Sequence, residues 1–165
     1  MTQEDKELLL QDLSGRLPHG VLLCNSLDVR CGKKPFALSK INHRKGNVYV
    51  QEEAGGPMVL DEYGGWIMND KYFLSDFTKP YLRSLSSMTE EEFEELKEYS
   101  GLKYDQLDLA SFPNNHKCLD FYLSEVPAYV VILVYDWLNS HHFDYRGLIE
   151  KGLAIAVTDE NNPYE

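Results

Sequence analysis

Residues 136–152 read DWLNSHHFDYRGLIEKG, and this span decides how the chain around it is read. It crowds two adjacent histidines, three aromatics, one arginine and three carboxylates into a short stretch. Upstream, Ser124 can cap a helix and Pro127 suits a first helical turn. Val126, Tyr129, Val130, Leu133, Val134, Trp137 and Leu138 then recur at steps of three and four, which predicts a buried helix running into the quoted span. A strand over 129–135 is the alternative, because the valines and isoleucine there are stiff, β-favouring side chains. On a continuing helix, His141 and His142 each fall four residues after an apolar position, so both project from the apolar stripe and are half buried. Beyond them, Asp144 is placed to cap a second short helix ending at Lys151 and closed by Gly152. The tail from 158 to 165 is polar and expected to fray.

These residues define a candidate cluster, Trp137, His141, His142, Phe143, Asp144, Tyr145 and Arg146. Its expected role is structural or interactive: Arg146 pairs with Asp144 or with a helix C-terminus, while Phe143 and Tyr145 pack between two lobes. An imidazole titrates near neutrality, so a hydrolase or metal enzyme centred on His141, His142 and Asp144 is an alternative chemistry. Adjacent histidines on a helix point about 100° apart and cannot share one ion without distortion. No zinc-ligand spacing accompanies them. No GxSxG, P-loop, GxGxxG or HExxH pattern occurs either. The expectation is therefore no catalytic residue, no metal and no cofactor.

Residues 2–14 read as an amphipathic helix, with Thr2 as cap, Glu4 and Asp5 at the positive dipole end, and Leu9, Leu10 and Leu13 on one face. Gly15 and Pro18 are expected to end it. From 20 to 83 the pattern changes to short β-rich runs, VLLC (21–24), FALSKI (36–41), VYV (48–50), MVL (58–60), WIM (66–68) and KYFL (71–74), separated by turn clusters. Strands this short with tight connections predict an antiparallel meander curled into a small SH3-like β-barrel. Residues 79–101 then join the lobes: Pro80 favours extended chain, and Thr89 with Glu92 forms a capping box opening a helix that stops near Gly101.

The predicted fold class is α+β, a single domain of an N-terminal helix, a small antiparallel barrel or curled meander, and an acidic helical C-terminal part. Its two lobes divide at residues 85 and 86. A chain of 165 residues with 43% hydrophobic content has the material for one core and is not of disordered type.

Charge separates the two lobes. Up to residue 85 eleven acidic residues balance eleven Lys and Arg, while residues 86–165 carry sixteen acids against five bases, which places the whole net charge of -11 in the second half. Such a field repels phosphate backbones, so direct nucleic-acid binding is not expected there, and it draws in basic partners. Solubility is the simpler reading of the same charge. Glu90, Glu91, Glu94, Glu95 and Glu98 form a candidate acidic docking face. A basic cluster, Lys33, Lys34, Lys40, Arg44 and Lys45 near Tyr49 and Trp66, reads as solvated loop charge better than as a single-strand binding platform. Cys24, Cys31 and Cys118 form no CxxC pair, no apolar run approaches the roughly 20 residues that span a bilayer, and the chain reads as cytoplasmic.

At KPYLRSLSSMTEEE (79–92), DWLNSHHFDYRGLIEKGLA (136–154) and DLSGRLPHGV (12–21) the chain resembles a family of small acidic hypothetical proteins from gut anaerobes and their mobile elements. The resemblance implies no activity, so no catalytic or binding residue follows from it. Ser84 stands where that family often has proline, and the span 28–76 resembles it least. The expected function is a non-enzymatic protein-interaction or regulatory role toward a protein partner, basic where charge decides. An acidic nucleic-acid mimic that inhibits a basic enzyme is the second reading.

Overall fold

A computed structural model describes residues 1–25, 35–42, 47–51, 58–60, 66–68, 71–73, 78–102 and 126–164. The first helix, α1 (Gln3–Arg16), opens on a full capping box: Thr2 Oγ1 accepts the Asp5 amide at 3.1 Å, and the Asp5 carboxylate accepts the Thr2 amide at 2.9 Å. Gly15 does not end this helix. Its bare Cα lets another segment approach, since a Cβ there would meet Asn139 Nδ2 at 3.1 Å. The turn comes two residues later, as a 3-10 turn over Leu17–His19 that holds Pro18 and closes on left-handed Gly20.

The strands are β1 (Leu22–Asn25), β2 (Phe36–Asn42), β3 (Asn47–Gln51), β4 (Met58–Leu60), β5 (Trp66–Met68), β6 (Lys71–Phe73), β7 (Thr78–Ser84), β8 (Phe143–Asp144) and β9 (Ile155–Ala156). One sheet runs in the order β6-β3-β2-β1-β7-β8, with β9 also on β7, while β4 and β5 pair separately. Pairings from β6 to β7 are antiparallel, and β2 and β3 carry a bulge between Leu38 and Lys40. The short terminal strands β8 and β9 instead run parallel to β7.

The protein is α+β, and the described sheet is open, without the closure of the expected barrel. The reason lies in β7. Read from sequence as a connector, it pairs with β1 through Thr78–Pro80 and then with β9 and β8 of the C-terminal half through Tyr81–Ser84, so C-terminal segments occupy the strand that barrel closure would need.

Two helices complete the described fold. Helix α2 (Glu90–Ser100) starts on the Thr89–Glu92 capping box and stops at left-handed Gly101, whose amide donates to Lys97 O at 2.9 Å. Helix α3 (Ala128–Ser140) settles the choice between helix and strand: its three- and four-residue periodicity buries Val130, Val134, Trp137 and Leu138 on one face. Among the described residues the core has two parts. Leu9, Leu13, Val21, Leu23, Leu82 and Leu148 pack α1 on the sheet. Phe93, Leu96, Val134, Trp137, Leu138 and Phe143 pack α2 on α3. No helix among the described residues is long and apolar enough to cross a membrane.

Leu138 is fully buried, whereas Ile132 on the same helix is 67% exposed. Leu138→Ala should cost about 2–5 kcal/mol in urea unfolding and Ile132→Ala no more than about 0.5 kcal/mol. Equal losses at the two positions would contradict the placement of α3.

Candidate functional site

The quoted span meets the N-terminal helix through a buried ion pair. Asp12 and Arg16 are both fully buried on the Leu9–Leu13 face of α1. Arg16 Nε donates to Asp12 Oδ2 at 2.7 Å and Nη2 to Oδ1 at 3.0 Å. Nη2 also donates to the Phe143 carbonyl at 2.7 Å, which ties α1 to β8. Arg146 brings its Nε to 3.5 Å from the same Asp12 carboxylate. Both guanidiniums lie over the Tyr145 ring, at 5.3 and 5.2 Å from its centre, and the Tyr145 hydroxyl donates to Asn139 Oδ1 at 3.0 Å. One carboxylate thus serves two cations, and Arg16 Nη1 is buried without a hydrogen-bond partner among the described residues.

Asp144 organises the following loop. Its carboxylate accepts the amides of Arg146 at 3.3 Å, Leu148 at 2.9 Å and Ile149 at 2.7 Å. The capping role read from sequence is present, but the segment it caps is a run of turns to Gly152 and not a helix. Left-handed Gly147 and Gly152 break the backbone repeat that a helix needs.

The two histidines do different things. His141 stacks on Trp137 with ring centres 3.8 Å apart. Its Nδ1 lies 3.0 Å from the Trp137 carbonyl, which can only accept, so the hydrogen-bond network assigns the proton to Nδ1. Ser140 Oγ sits 3.1 Å from that nitrogen but donates to Trp137 O at 2.8 Å, and Nε2 faces Glu95 at 3.8 Å. Ser140, His141 and Glu95 therefore do not form a nucleophile, a base and its orienter, because the nitrogen beside the hydroxyl is a donor.

His142 adopts a left-handed backbone at φ 59 and stacks on Tyr164 at 4.1 Å. Burial and the nearby Arg16 charge push its imidazole down to about 4. Its Nδ1 is buried with no hydrogen-bond partner among the described residues.

Arg83 joins the cluster from β7. Its amide donates to His142 O at 2.9 Å, its guanidinium lies 4.2 Å over Phe143, and it makes a two-pronged pair with Glu92 at 2.6 and 2.9 Å. Burial acts to raise the Glu92 carboxyl, but Arg83 and the Thr89 amide outweigh it and hold the group below its ordinary value. His141 and His142 edge an open cleft of about 610 Å³, shared with Arg83, Ser87, Thr158 and Asp159. No group of three or more His, Cys, Asp or Glu able to hold a metal occurs among the described residues.

The acidic face is solvent-facing as expected: Glu90, Glu91, Glu94, Glu95 and Glu98 are all exposed on α2. Glu94 pairs with Lys97, and Glu95 accepts Trp137 Nε1 at 3.3 Å. Beside this ridge, α3 turns Tyr129, Ile132 and Tyr135 outward. Tyr99 of α2 reaches across and donates to Asp136 at 3.0 Å, one turn on from Ile132. Residues 33, 34, 44 and 45 of the basic cluster lie outside the described residues, as do Cys31 and Cys118. Cys24 is a buried free thiol.

The structure thus brings all seven residues of the candidate cluster together and adds Asp12, Arg16, Arg83 and Tyr164, which sequence reasoning missed. A signal for the first two existed, since Asp12 and Arg16 share a helix face with Leu9 and Leu13. Comparison with family models, with curated proteins and with solved structures gave no match.

Asp12→Ala leaves Arg16 buried and unpaired, and should cost about 3–5 kcal/mol. Asp12→Leu combined with Arg16→Met should recover most of that loss in the same unfolding assay. A single-variant loss below about 1 kcal/mol would refute the buried pair.

Proposed function

We propose that the protein is a non-enzymatic interaction protein that docks a basic amphipathic segment of another protein on the outer face of α3. The observation that carries this reading is the exposure of Tyr129 at 64% and Ile132 at 67% on a helix that is otherwise apolar nearly all round. A helix of that composition is ordinarily buried on every side. An uncovered apolar stripe rimmed by charge is the form that protein contact sites take. The charge nearest the stripe is acidic: Asp136, one turn on from Ile132, continues it and accepts Tyr99 of α2, next to which Glu98 is exposed. A complementary segment presents apolar residues at helical spacing with Lys or Arg on its flanks. The acidic field supplies orientation and encounter rate, and the stripe supplies most of the affinity.

The cluster around His141 and His142 fits the same reading through the contacts it makes. Its donors and acceptors are directed mainly at backbone and at one another. The role proposed for it is to hold α3 in place.

A designed amphipathic peptide of Leu and Lys is a suitable probe, with a Leu and Glu peptide of equal length as control. Calorimetry should detect binding of the first only, weakening with salt. Ile132→Glu should weaken it at least about tenfold, or about 1.4 kcal/mol, with the thermal melt unchanged. Equal binding of both peptides, or full binding by Ile132→Glu, would remove the proposal.

A further inference from the structure

The polar C-terminal tail is tied down where the sequence predicts fraying. Leu153 and Ala154 are buried, β9 pairs with Tyr81 and Leu82 of β7, and the Val157 amide donates to Leu82 O at 2.8 Å. Asn161 folds the next turn back, its Nδ2 donating to Ala156 O at 3.0 Å and its Oδ1 accepting the Thr158 amide at 2.7 Å. Tyr164 then inserts its hydroxyl between two strands. It donates to Tyr81 O at 2.8 Å and accepts the Leu22 amide at 3.3 Å. Those two residues are the next pair beyond Leu23 and Pro80 in the β1–β7 ladder, so the hydroxyl bridges the strands where direct pairing stops. What holds the Tyr164 ring is the nearly parallel His142 ring, at an interplanar angle of 11°.

That stack suits a neutral imidazole. Protonation makes both ring nitrogens donors, and Nδ1 is buried with no acceptor among the described residues. The charged and titratable groups acting on His142 are Arg16 of α1, His19 of the turn after it, Arg83 of β7 and His141 at the end of α3, together with the stacked Tyr164 of the tail. Arg16 and Arg83 carry positive charge and the two histidines add to it when protonated, while the carboxylate on that side is Asp159 of the tail, which lines the same cleft.

We propose that residues 155–164 form an acid-released latch, with His142 as its proton sensor. With the latch shut the ring takes up a proton only near pH 4, against 6.5 for a free imidazole. Closure is therefore fully supported above about pH 6.5 and loses support as the pH falls toward 4, with the opening constant rising by up to about tenfold per pH unit. Release uncovers the β7 backbone at Tyr81 and Leu82 and frees the left-handed residue that follows the last turn of α3.

Amide hydrogen exchange by NMR, corrected for intrinsic rates, tests this on the full chain. The Leu22 and Val157 amides should exchange together and faster than the Val134 amide of the core, with protection falling between pH 6.5 and 4. His142→Asn and His142→Gly both accept the left-handed backbone and carry no titrating ring, so either should flatten that pH dependence. Leu22 and Val157 exchanging only as slowly as Val134 would mean that the tail leaves only on global unfolding, and would overturn the latch. An unchanged pH dependence in both variants would overturn His142 as the sensor.

Discussion

The buried carboxylate of Asp12 fixes how α1, β8 and the end of α3 meet. It holds Arg16 extended inside the protein, and Arg16 in turn grips the Phe143 carbonyl. Desolvating a guanidinium costs several kcal/mol unless its donors are met, so the pair has value only when α1, β8 and Tyr145 are all in place. The requirement makes the contact a selector of one arrangement. Gly15 and Asn139 reinforce it, since a Cβ at residue 15 would meet Asn139 Nδ2 at 3.1 Å, tighter than ordinary contact. Three stretches far apart in the chain, around residues 12–16, 81–84 and 142–146, are thereby locked at one place.

Function is read from what this lock leaves outside. The aromatic, histidine and arginine side chains that look most chemical in the sequence are largely spent on internal contacts: Trp137 on His141, Tyr145 on Asn139, Arg83 on Glu92, His142 on Tyr164. The side chains left facing solvent on α2 and α3 are mainly carboxylates and large apolar groups. Carboxylates alone would serve solubility. In the proposed reading, their position beside an apolar stripe that no described residue covers turns the same charge toward partner choice.

Much of this was legible from residues alone. Thr2 ahead of Glu4 and Asp5, and Thr89 with Glu92, announced two helix starts, the step pattern from Val126 to Leu138 favoured the third helix over a strand, and the β-rich runs fell where strands are found. What escaped has physical reasons. Gly15 looked like a stop because its other use, close packing, depends on a residue 124 positions away. β8 and β9 are two residues each and carry no periodicity to detect. The barrel failed because sheet closure is decided by which segment reaches an edge first, and the C-terminal pieces that reach β7 do not look like strands. Arg146 found Asp12 instead of Asp144, whose carboxylate was already taken by backbone amides. The Tyr164 anchor gave no local sign at all, since a polar tail ending in one tyrosine reads as solvent-exposed.

Arg16 is charged, buried and immobile, joining α1 to β8. NMR of the protein with nitrogen-15 in its arginines reads this directly. The account predicts separate, slowly exchanging Nη protons for Arg16 at neutral pH, with cross-relaxation to the Tyr145 ring. Averaged Arg16 signals that exchange with water as fast as those of a free guanidinium would contradict it.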